Sequence, residues 1–144
     1  MVLTIRPYRA QDRHTLEAIT ARASVAYTPT TDVLLVSVDR SDRPVGWAGG
    51  TLEGRYPGPG APVPAPHGYL QAVVVDPDHQ RHGVGRALVS AFVAAAARSG
   101  VGWVFAVPDE DQGVQERVAF FAACGLVPVP DSGEEWPVMG IHPV

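Results

Sequence analysis

Apolar residues fall along the chain in short blocks, and their spacing switches between the strand and the helix period. Val2 to Arg6 predicts a short first strand. From about Ala10 to Ala26, the residues Leu16, Ile19 and Ala23 recur at helical spacing, which gathers them on one face. Asp32 to Asp39 is an apolar run bounded by aspartates. A polar turn, Arg40 to Arg43, leads into Pro44 to Leu52, and the two runs predict a hairpin. Gly68 to Val75 is nearly continuous in Tyr69, Leu70, Ala72, Val73, Val74 and Val75, as expected of a strand buried on both faces. An alanine-rich helix follows from Gly85 to about Ser99 with Gly100 as its cap, then an apolar strand over Val101 to Val107. Strand, helix and strand joined by short links predict a parallel pair with a right-handed crossover. Val114 to Cys124 reads as a further helix closed by Gly125. Leu126 to Val129 and Val138 to His142 read as terminal strands. The pattern predicts one α/β or α+β domain over residues 1–144, with a mixed central sheet.

One stretch breaks the pattern. Gly54 to His67 holds Pro57, Pro59, Pro62, Pro64 and Pro66 with three glycines. Proline removes backbone donors and favours extended polyproline geometry, so neither helix nor central strand fits. The segment is either a surface linker or a lid over a binding site.

Composition changes the picture mainly through what is missing. All 11 basic side chains are Arg, and there is neither Lys nor Asn. Without Lys there is no Schiff-base chemistry, no lysine-anchored pyridoxal cofactor and no Walker-type phosphate loop. The single cysteine, Cys124, excludes an internal disulfide and a cysteine-cluster zinc site. A formal net charge of −4 argues against a general nucleic-acid surface. The longest apolar stretch, Ala87 to Ala97, is interrupted by Ser90 and is about half the ~20 residues a membrane-spanning helix needs. Charge enters at Arg6 and Arg9, too early for a signal-peptide core, so a cytoplasmic location is expected.

The chemistry concentrates in Tyr69 to Leu88. A buried strand ends at Asp76-Pro77, and the loop Gln80-Arg-His-Gly-Val-Gly85 opens directly into a helix. Free amides and the positive dipole end make such a helix start an anion site. Gly83 and Gly85 allow a phosphate to come close, and Arg81 and Arg86 add forked cationic donors. A dinucleotide-binding loop would carry a third glycine. His79 and His82 stand near Asp76 and Asp78, but a phosphate-facing loop favours solvated side chains over a metal site, and no metal is expected.

Gln80 to Gly85 resembles the Q/R-x-x-G-x-G/A pyrophosphate loop of the GNAT acyl-CoA N-acyltransferases. The preceding Val-Val-Asp-Pro, the small-residue helix and the downstream Phe-Phe-x-x-x-Gly-Leu helix match as well. The resemblance spans essentially the whole chain. It implies the GNAT fold, a mixed sheet of about seven strands flanked by three to four helices, and acetyl-CoA as co-substrate. It further implies that Gln80, Arg81, His82, Gly83, Val84, Gly85 and Arg86 hold the pyrophosphate. Val73, Val74 and Val75 would line the pantetheine, with a backbone N–H of that strand polarising the thioester. The implied reaction is transfer of acetyl to a primary amine of a small molecule or peptide. The alternative is a catalytically weak acyl-CoA-binding module of the same fold, and a homodimer is compatible with either.

The departures from the family concern proton transfer. An alkylamine with a pKa near 10.4 costs roughly 4.6 kcal/mol to deprotonate at pH 7. The family commonly places Glu or His on the fourth strand for this, where Tyr69 and Gln71 stand here. Glu53 and His67 are the nearest other candidates for a base or water relay. Phe121 aligns with the tyrosine that protonates departing CoA, and the Asn usual at the start of that helix is missing.

Overall fold

In the computed structural model, which describes residues 3–25, 32–108, 113–130 and 137–143, the predicted blocks become seven strands and three α-helices. In chain order these are β1 (Thr4–Pro7), α1 (Arg13–Arg22), β2 (Val33–Val38), β3 (Pro44–Gly54), β4 (His67–Val75) and α2 (Val84–Arg98). They are followed by β5 (Val104–Ala106), α3 (Val114–Ala123), β6 (Val127–Pro128) and β7 (Met139–Ile141). The strand order is β1-β2-β3-β4-β5-β7-β6. β1 to β3 pair antiparallel, β4 and β5 pair parallel, and β7 lies antiparallel to both β5 and β6. The mixed sheet and the parallel β4–β5 pair agree with the sequence pattern.

The chain forms two compact units, residues 1–50 with 72–92, and residues 51–71 with 93–144. In the first, Leu16 and Ile19 of α1 pack with Val36 and Val38 of β2, Trp47 of β3 and Val74 of β4, all essentially buried. The Trp47 indole N–H donates to the Thr20 hydroxyl at 2.9 Å, and that hydroxyl donates to the Leu16 carbonyl at 2.7 Å. A buried polar pair thus fixes the helix on the apolar contact. The start of α2 presses on β3 at Gly46, where a Cβ would meet the Val74 carbonyl oxygen at 2.9 Å and Val84 at 3.0 Å.

The second unit has an aromatic core. Tyr56, Trp103, Phe105, Val129 and Val138 are buried together, with Ala61, Val63 and Tyr69 packed against them. The Tyr69 and Phe105 rings stack with centroids 4.7 Å apart.

Several boundaries differ from the expectation. The first helix begins as a 3-10 turn at Ala10–Asp12 and ends at Arg22, short of Ala26. Ser24 takes φ +57° and its N–H bonds the Ala21 carbonyl, while Val25 N–H reaches back to Thr20. That pair of bonds is a Schellman motif, which stops the helix. The strand expected over Val101 to Val107 narrows to β5, because Val101 N–H is drawn back to the Ala96 carbonyl at the end of α2. The last two strands shorten to β6 and β7. Val2 and Ala26 lie outside the described residues.

Candidate active site

The glycine-punctuated turn begins where β4 ends. Asp76 N–H donates to the Val45 carbonyl at 2.8 Å, which holds the turn against β3. Its side chain, 6% exposed, accepts the Asp78 N–H at 3.1 Å and caps the 3-10 turn Pro77–His79, while Arg22 at the end of α1 donates to the other oxygen at 2.8 Å. Burial alone would raise the Asp76 carboxyl. The Asp78 amide and the Arg22 guanidinium, helped by His79, outweigh it and hold the group below the ordinary carboxylate value.

Beyond that turn Gln80, Arg81, His82 and Gly83 are exposed, then Val84 and Gly85 are buried and Arg86 is exposed again. Arg81 at φ +67° and Gly83 at φ +80° turn the backbone twice through the left-handed region. A Cβ on Gly83 would meet nothing within 4 Å, so glycine stands there for the backbone angle and for open space above the amides. The first helical bond of α2 runs from Ala87 N–H to the Gly83 carbonyl at 3.0 Å. The amides of residues 83–86 therefore precede the ladder and carry the positive end of a 15-residue helix. Among the described residues neither Arg81 nor Arg86 has a side-chain partner. The loop, the helix start, and Val73, Val74 and Val75 of β4 all belong to the first unit. Val74 is buried in its core, and Val73 and Val75 are half-buried.

The expected base candidates belong to the second unit and meet different fates. His67 is 3% exposed, and its Nδ1 accepts the Tyr56 N–H at 3.0 Å. Its Nε2 lies 2.8 Å from the Val63 carbonyl, to which it donates. The ring also sits edge-on to Trp103, with centroids 5.2 Å apart. With both nitrogens hydrogen-bonded and the ring buried, His67 fastens the proline-rich segment, and as a base candidate it would first have to give up one of these bonds. Glu53 is exposed at the end of β3, and its own N–H bonds the Thr51 hydroxyl at 3.1 Å. Gln71 is exposed on β4, whereas Tyr69 is half-buried with its ring face against Phe105. Phe121 is half-buried on α3 with its ring 5.4 Å from Phe120, and it offers no hydroxyl. Gly113 occupies the N-cap of α3, without a capping side chain.

Among the described residues no three His, Cys, Asp or Glu side chains gather as a metal site, and Asp76 is already occupied by Arg22. No helix among them is long and apolar enough to cross a membrane. The sequence reading passed over Arg22. It lies 54 residues from Asp76 in the chain, and no local pattern marks it.

Solved structures of acetyltransferases share this fold. YhbS of Escherichia coli, a GNAT-family N-acetyltransferase solved in complex with CoA, is 14% identical with a TM-score of 0.71, over 99% of this chain and 82% of that one. The ribosomal-protein-S18-alanine N-acetyltransferase of Escherichia coli is 17% identical with a TM-score of 0.69, over 99% and 94%. Nourseothricin acetyltransferase is 15% identical with a TM-score of 0.71, over the full length of both chains. No curated protein is a significant match. The model of the Acetyltransferase (GNAT) family matches residues 4–126, which contain β1 to α3 and the whole turn from Asp76 to Arg86, and the chain belongs to that family.

Proposed function

We propose that this chain transfers an acetyl group from acetyl-CoA to a primary amine of a small molecule or peptide. The observation that carries the reading is the donor turn, where two left-handed residues leave the amides of residues 83–86 ahead of the helical ladder, beside Arg81 and Arg86. A pyrophosphate is the complement of that arrangement. Gln80 to Arg86 would hold it, and the backbone at Val73, Val74 and Val75 would pair with the pantetheine amides as an added strand does.

In the reaction the amine nitrogen forms a bond to the thioester carbon, and the carbonyl oxygen takes up negative charge. A backbone N–H of β4 would donate to that oxyanion. The carbon–sulfur bond then breaks, CoA leaves as the thiolate, and the amine proton passes through water to base. Glu53, Tyr69 and Gln71 are the side chains that remain for ordering such a water, and Glu53 is the carboxylate among them. A thiol of pKa ~8.5 departs without an acid, so Phe121 is compatible with turnover. A second reading, an acyl-CoA-binding module with weak catalysis, is favoured by the engagement of His67 and by the missing hydroxyl at Phe121.

Calorimetry with CoA tests the donor turn. Gly83→Ala adds backbone strain of about 1–2 kcal/mol, which lowers the melting temperature and weakens CoA only as far as the free loop relaxes out of the left-handed angle. Gly83→Asp adds a carboxylate against the pyrophosphate and is expected to weaken CoA by more than about 100-fold. Equal affinity for wild type and Gly83→Asp would overturn the assignment. Free-thiol release from acetyl-CoA across a panel of α-amines, alkylamines and arylamines then separates the readings. Release with any amine supports transfer, and tight CoA binding with no release for all of them supports the second reading.

A further inference from the structure

We propose that Arg22 is a positioning residue for acyl-CoA, acting through Asp76 to set the shape of the donor turn. The inference rests on the CoA-binding reading of that turn. Four hydrogen bonds converge on Asp76: its N–H to Val45, its carbonyl from His79 N–H at 2.8 Å, one carboxylate oxygen from Asp78 N–H and the other from Arg22. Three of these are local or run to the neighbouring strand. Arg22 alone ties the turn to a helix elsewhere in the unit.

The carboxylate is buried and its Arg22 partner is half-exposed, with side-chain exposures of 9% and 46%. Without the guanidinium, the buried carboxylate keeps the Asp78 N–H, and its other oxygen must shift towards the His79 Nδ1, now 3.8 Å away, turn towards water or take up a proton. Each of these changes disturbs the Asp78 bond that caps the 3-10 turn. That turn ends at His79, and the loop from Gln80 to Gly83 starts there. Its left-handed Arg81 and Gly83 aim the amides, so loosening the entry widens the angles they sample. The cost falls on ligand binding, because the pyrophosphate must then reorder the loop.

The molecule carries its own control. Arg6 and Asp12 form a second buried pair, joined by two bonds of 2.8 and 2.9 Å, and Asp12 also fastens a 3-10 turn by accepting Arg9 N–H. That turn leads into α1, not into the donor loop. The two pairs differ in what they hold, and in the single contact of Arg22 against the two bonds of Arg6 to Asp12.

The test measures the CoA dissociation constant and the melting temperature of the full chain. Arg22→Gln is expected to weaken CoA by about 10-fold while melting only slightly lower. Arg22→Lys restores the affinity to within about threefold, since one ammonium can replace a single N···O contact. Arg6→Gln lowers the melting temperature more, yet leaves CoA affinity within about twofold at temperatures where it is folded. An unchanged constant for Arg22→Gln overturns the proposal, as does an equal loss in Arg6→Gln. If wild type itself does not bind CoA, the functional reading fails first and the proposal with it. Wild type binding normally with an unaffected Arg22→Gln sinks the positioning role alone.

Discussion

The two compact units fasten their loops in different ways. The first uses buried carboxylates clamped by guanidinium groups, Asp12 by Arg6 and Asp76 by Arg22. The second uses an imidazole among rings, His67 between the Tyr56 amide and the Val63 carbonyl. The difference bears on what each unit can do chemically. On the proposed reading the ligand groups of the donor turn would be backbone amides, so occupying the nearby side chains would leave the binding atoms untouched. At the strand ends of the second unit, base chemistry would need a side chain. His67, the best base by residue type, is the one engaged in holding the fold.

The sharpest way to break that comparison is at Arg6. Its guanidinium bonds both oxygens of a carboxylate that is 3% exposed and also reaches Asp42 at 2.9 Å. Arg6→Gln leaves the buried Asp12 with the Arg9 N–H as its remaining donor, with an expected cost of about 3 kcal/mol. Denaturant unfolding measures it. A loss below about 1 kcal/mol would mean that the clamp is no more than a surface pair.

His67→Ala is the counterpart in the second unit. It strands the Tyr56 N–H and the Val63 carbonyl and leaves a space beside Trp103 and Phe105, for an expected loss of about 3 kcal/mol. CoA affinity is expected to stay within about threefold where the variant remains folded, since the donor turn does not include His67. If acetyl transfer vanished while stability and CoA binding held, His67 would be catalytic after all.

Acid should separate the two kinds of fastening. The Arg6 bond, opposed by burial and aided by the Arg9 amide, holds the Asp12 carboxyl below its ordinary value, and Asp76 is lowered as well. The unfolded chain then takes up protons before the folded one. The stabilisation is complete above the unfolded value near 4 and is lost as pH falls through the lower folded values. Melting temperature followed from pH 7 to pH 3 should fall at the acid end, and Asp12→Asn should flatten that fall while lowering the plateau. An identical acid limb in wild type and variant would remove Asp12 from the account.

What was legible in the sequence follows the same division. The shape of this turn could be read because it leaves a local signature: an Asp-Pro stop, a glycine at Gly83, where φ is positive, and a helix starting at once. The parallel β4–β5 pair followed from a buried apolar run and short links. The role of His67 could not be read, because Tyr56 and Val63 acquire their meaning only once Trp103 and Phe105 close over the ring. Arg22 was hidden for a similar reason, since its partner lies 54 residues away. Helix ends show the contrast in miniature. Gly100 and Gly125, at φ +75° and +95°, announced the ends of α2 and α3, whereas Ser24 does the same work for α1 without the glycine that would mark it.

Ser24 therefore offers the smallest and most discriminating test. All three helices end with the same pair of bonds, from Ser24 and Val25, from Gly100 and Val101, and from Gly125 and Leu126. A serine in the left-handed region pays about 1 kcal/mol in steric strain that glycine avoids, offset in part by the greater freedom of glycine in the unfolded chain. Ser24→Gly is thus expected to stabilise the protein by about 0.5–1 kcal/mol, read as a rise in melting temperature. The substitution lies two residues beyond Arg22 and preserves the cap that places it. If Arg22 positions the donor turn through geometry alone, CoA affinity stays unchanged while stability rises. A stabilised variant with weaker CoA binding would mean that the strained serine cap itself sets the angle at which Arg22 meets Asp76.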